Sequence, residues 1–171
     1  MKLTKYLLIL LLLPTVALAD STRCVSVSPT IDTAAYATGD GMGLEMEFAN
    51  ILKDSTKAGY VTSAVISDAA DQAFDLELVI ADRSLGSSGA DNAAFDPTDT
   101  VIKYIRGRVL FDGTDHLSTY NDNAVLAREG LGIAVGGHSN ASRSVWARLV
   151  ARDAYDGDAD SLQVTLCVSQ D

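Results

Sequence analysis

The chain has 171 residues, with 23 acidic against 13 basic side chains and a net charge of −10. That length suits one globular domain, and the acidic excess excludes a protein that grips nucleic acid through its phosphates. Hydrophobic residues make up 47% and the charges sit singly among them, which is the composition of a folded domain and not of a solvated tail.

The chain opens with Lys2 and Lys5 around the start of an apolar run, Leu7 to Leu13, which Pro14 breaks. Ala17-Leu18-Ala19 then places small residues at the −3 and −1 positions before Asp20. Basic start, short apolar centre and A-x-A site are the three parts of a secretory signal peptide. The run is far shorter than the ~20 residues a membrane span needs. The expectation is a leader over 1–19 and a single exported domain over 20–171, with a charge of −12 once Lys2 and Lys5 are removed.

Beyond the leader, period-2 alternation recurs and helical periodicity is scarce. Around Cys24, Val25 and Val27 share one face and Cys24 the other. Met42 to Phe48 alternates apolar with small or acidic residues, assigning Leu44, Met46 and Phe48 to one face and Glu45 and Glu47 to the other. Tyr60 to Ile66 follows, and then Phe74 to Ile80, where Leu76, Leu78 and Ile80 point inward. The longest irregular stretch runs from Asp82 to about Thr100 and ends in a short helix over Pro97 to Ile102. Val101 to Phe111, Gly132 to Val135, Val145 to Ala151 and Leu162 to Val168 complete the strands. Gly and Asp turns separate them, among them Gly39-Asp40-Gly41, Asp112-Gly113 and Asp156-Gly157. The fold class this predicts is all-β, an antiparallel β-sandwich of jelly-roll type.

Few residues point to chemistry. Cys24 and Cys167 both lie opposite their strand's apolar row, so a Cys24–Cys167 disulfide is the expectation for an exported chain. The other reading is two thiols on separate strands. His116 and His138 occupy turn-like segments with no serine or cysteine motif around them. Gly130 to Gly136 resembles a dinucleotide loop in outline, but its spacing is wrong and no helix follows. Asp153, Asp156, Asp158 and Asp160 are the one metal candidate, hard oxygen ligands suited to calcium; a solvated hairpin turn is the more ordinary reading of them. Trp146 alternates with Arg148 and Arg152, a row that reads as a candidate subunit or partner interface, or else as ordinary strand packing. Asn140-Ala141-Ser142 is a formal glycosylation sequon.

The run Ser28 to Asp40 resembles the opening of a family of small tailed-phage proteins. Asp91-Asn92-Ala93-Ala94-Phe95, then Tyr120 to Ala124 with Gly130-Leu131-Gly132, then Ser161 to Val164 with Ser169-Gln170-Asp171, resemble later blocks of that family in order. The resemblance implies a β-sandwich virion protein of the capsid-decoration kind, without catalytic residues. The leader and the cysteine pair depart from that family, which assembles in a reducing cytoplasm. The expected function is therefore a non-enzymatic structural or assembly protein, a homo-oligomer or a component of a larger assembly such as a capsid. The alternative is a secreted module that binds glycan or protein. No cofactor is expected apart from the calcium candidate, and no nucleic acid or membrane span in the mature chain.

Overall fold

The computed structural model describes residues 21–70, 75–86, 89–113, 123–137, 142–156 and 161–171. The leader, His116, His138, Asn140, Asp158 and Asp160 lie outside the described residues. The chain forms β1 (Ser21–Val27), β2 (Asp40–Phe48), β3 (Ala58–Asp68), β4 (Leu76–Ala81), β5 (Ala93–Ala94), a helical turn α1 (Asp99–Ile102), β6 (Ile105–Phe111), β7 (Ala124–Gly136), β8 (Val145–Ala151) and β9 (Leu162–Gln170).

These strands make two antiparallel sheets, ordered β1-β9-β3-β7 and β5-β2-β8-β4-β6. Setting the two-residue β5 aside, the pairs are nested: β1 with β9, β2 with β8, β3 with β7 and β4 with β6. A chain folded as one long hairpin, with successive pairs placed alternately in the two sheets, has the topology of a jelly roll. The sandwich expected from the alternation is thus the one observed. Along one side β6 lies against β7, and along the other β1 lies against β2.

The alternation in each strand selects the core. Leu76, Leu78 and Ile80 of β4 and Ala147, Leu149 and Ala151 of β8 face Ala64 and Ile66 of β3 and Val164, Leu166 and Val168 of β9; all are buried. Removing such a row from water is the main stabilising contribution, roughly 1.5–3 kcal/mol for each large side chain. Tyr36 and Tyr155 add a second device. Their backbones form an isolated bridge, their rings lie 6.2 Å apart, and both are buried.

The strand β2 departs from the expected pattern. Its register against β8 shifts between Met42 and Met46, and Gly43 within that bulge has φ +68°. A Cβ at Gly43 would stand 2.9 Å from the Thr30 carbonyl, so glycine is required on both counts. The extra residues turn Leu44 outward to 62% exposure, while Met42, Met46 and Phe48 stay buried. The strand β7 is longer than Gly132–Val135, because Ala124 to Glu129 continue it through a second irregularity opposite Val61 and Ser63.

Candidate interaction surfaces

Two broad surfaces are available for function, the outer faces of the two sheets. On the five-stranded sheet, Trp146, Arg148 and Val150 alternate with the core row of β8, as the sequence predicts. They do not form an open row, however. The chain leaves β4 at Ala81, passes Glu45 of β2 and pairs through β5 with Asp40 and Gly41 on the far edge of β2. Because β8 lies between β4 and β2, this loop must cross β8. It covers Arg148, which is 1% exposed and donates from Nη2 to the Ala90 carbonyl at 3.0 Å. Arg148 is therefore a buried anchor for the loop and not a contact residue on an open surface. Trp146 is half-buried, and Arg152 is exposed but paired with Glu77.

The loop is fastened at several points. Ser84 Oγ donates to Glu45 at 2.7 Å, and the Leu85 N–H donates to the same carboxylate. Asp91 Oδ1 accepts from Tyr36 Oη at 2.8 Å and from the Gly43 N–H at 2.7 Å. The Asn92 N–H donates to the Gly41 carbonyl at 3.0 Å. Burial, followed by the hydrogen bond to Asp91, pushes the Tyr36 phenol well above the usual tyrosine range. Burial lowers the Arg148 guanidinium, against the pull of the Asp91 and Glu45 carboxylates. Gly41 provides the room, since a Cβ there would stand 2.5 Å from Arg148 Nη2.

Alongside this strap, Glu77 of β4 is buried on the outer side between Arg108, at 3.3 Å, and Arg152. Asp82 at the end of β4 is buried against Arg106. Arg108 and Arg152 remain substantially in water, so each pair contributes modestly to stability. Their consequence is to hold the outer rims of β4, β6 and β8 together.

The four-stranded sheet is different. Its outward positions carry Thr22, Cys24 and Ser26 on β1, Thr165 and Cys167 on β9, and Tyr60, Ser63 and Ser67 on β3, with small residues on β7. Glu129 is the one charged side chain at an outward position of these four strands. Cys24 and Cys167 stand directly opposite each other and are joined by a disulfide, 143 residues apart in sequence. Beside it Ser26 and Thr165 hydroxyls hydrogen-bond at 2.7 Å.

Among the expected metal ligands, Asp153 and Asp156 are exposed, and Asp153 accepts from the Ala154 N–H at 2.8 Å. Among the described residues no group of three or more metal-ligating side chains comes together. No helix among them is long and apolar enough to cross a membrane. Tyr36, Asp91 and Glu77 were not singled out by the sequence. Asp91 stood inside a block of family resemblance, and Glu77 in the cleanest alternating strand, yet neither position reveals which charge will face it.

No protein-family model matches the sequence, and no curated protein matches it. By structure the chain is similar to a chain of the full particle of Israeli acute paralysis virus heated to 63 degrees, at 8% identity and a TM-score of 0.32, over 87% of this chain and 68% of that one. It is also similar to a chain of the empty head of turnip yellow mosaic virus, at 11% identity and a TM-score of 0.27, over 98% of this chain and 89% of the other. Scores at this level carry no argument about function.

Proposed function

We propose that this chain is a non-enzymatic structural subunit, exported after loss of residues 1–19, that assembles with itself or onto a larger particle such as a virion. The observation that carries the reading is how the molecule uses its buried and half-buried charged groups. Arg148, Asp91 and Glu45 fasten a loop over one sheet, while Glu77 and Asp82 tie strand rims together. Chemistry at a reacting centre needs such groups aimed at a space a substrate can enter; here they are aimed at the protein's own backbone, hydroxyls and arginines. The disulfide supports a location outside the reducing cytoplasm.

The test is sedimentation and light scattering of native protein across a wide concentration range, with electron microscopy of its source. Association into defined oligomers, or recovery with a particle, is the expected result. A chain that stays monomeric at high concentration and joins no particle overturns the reading.

A further inference from the structure

We infer that the outer face of the β1-β9-β3-β7 sheet is the surface through which two copies of this chain meet. The inference rests on the assembly reading above and names the surface that performs it. Three observations converge on this face.

The first is charge. The chain carries −10 overall, so two copies repel wherever acidic surface meets acidic surface. On the four outward strand faces Glu129 is the one charge, and it sits on the edge strand β7. The face between β1 and β3 therefore lets identical acidic molecules approach without setting like charges opposite one another.

The second is chemistry. In a two-fold contact each surface meets its own image, so its polar groups must serve either role. Carboxylates only accept and arginines only donate, whereas hydroxyls do both. Ser26, Ser63, Ser67 and Thr165 are hydroxyls, and all lie on registered outward positions. Tyr60, 52% exposed on the same face, adds an aromatic ring with a hydroxyl tip, the residue type enriched at the centre of contacts.

The third is rigidity. The Cys24–Cys167 bond fixes the edge strand β1 to its neighbour β9 at mid-strand. An edge strand that would otherwise fray is held in plane, which lowers the ordering cost of association. Four strands at about 4.8 Å and some seven residues at about 3.3 Å give a plan of roughly 19 by 23 Å, a small contact suited to reversible assembly.

Thr165→Glu places a charge at the centre of this face, and Tyr60→Ala removes the anchor without adding one. Leu110→Glu, at a 60% exposed position on the other sheet, is the control. Sedimentation velocity should show dissociation constants raised at least tenfold for Thr165→Glu and severalfold for Tyr60→Ala, with Leu110→Glu close to the unaltered chain. Circular dichroism and melting establish that each variant is folded, and Tyr60→Ala carries the test if Thr165→Glu is not. Added salt should strengthen association, because it screens net repulsion and there is no arginine–carboxylate contact to weaken. Oligomers that survive both substitutions, or that dissolve in salt, overturn the inference and leave the assembly reading standing. An unaltered chain that is monomeric at all concentrations overturns both.

Discussion

The two outer faces of this sandwich solve the problem of a half-buried sheet in opposite ways. The five-stranded sheet is covered by its own chain: the loop after β4 crosses β8, and its Ala90 carbonyl accepts a hydrogen bond from the buried guanidinium of Arg148. The four-stranded sheet has no such strap among the described residues and carries hydroxyls, a disulfide and one charge at its outward positions. A face that is closed internally can tolerate charge, because each charge has a fixed partner. A face left open on an acidic molecule does better without it. The difference teaches that outward alternation alone does not identify an interaction surface. The Trp146 row and the Thr165 row both alternate outward, and the path of a loop separates them.

The largest expected effect lies on the open face. Replacing Cys24 and Cys167 together by Ser removes a 143-residue cross-link, which the chain-entropy relation values at about 5 kcal/mol. Urea unfolding of the oxidised chain against the double variant measures it. On the covered face, Arg148→Ala should cost about 3 kcal/mol, since it deletes a buried cation while its acidic neighbours stay in place. The same variant should speed hydrogen exchange at Asn92 and Phe95, whose N–H groups hold the loop to β2. If Arg148→Ala costs less than about 1 kcal/mol, the strap is not held by its charge.

A third prediction uses the raised Tyr36 phenol. Above pH 10 the unfolded chain releases this proton while the folded chain retains it. The unfolded state then binds fewer protons, so stability falls as pH rises, by up to about 1.4 kcal/mol per pH unit for one group. Below pH 10 the contribution is flat. Tyr36→Phe should flatten the alkaline slope, read from denaturation midpoints between pH 9 and 11. The smallest effect belongs to the open face again. Thr165→Ala should change stability by about 1 kcal/mol or less, the net worth of its one solvent-accessible hydrogen bond to Ser26. A cost above about 1.5 kcal/mol would place Thr165 in the core's service and not at the surface.

Much of the architecture was legible because a half-buried strand must alternate. Leu76, Leu78 and Ile80, or Val164, Leu166 and Val168, declare a buried row wherever the other strands lie. The same rule placed both cysteines opposite their strands' apolar rows. It failed at Leu44, which the Gly43 bulge turns out of a row whose other members, Met42, Met46 and Phe48, stay buried. It also failed over Ala124 to Glu129, where apolar residues occupy both faces and two later glycines imitate turns.

By itself the sequence determined an all-β sandwich, the residues of its core, the facing of its two cysteines and a short helix before β6. These depend on local periodicity and on the conformational limits of glycine and proline, which are properties of neighbouring residues. The tertiary structure alone decided the nested pairing of β1 with β9 through β4 with β6, the burial of Arg148 and the pairing of Glu77 with two arginines. Those outcomes depend on which strand lies next to which and where a long loop crosses, and such contacts join residues from 31 to 149 positions apart in the chain.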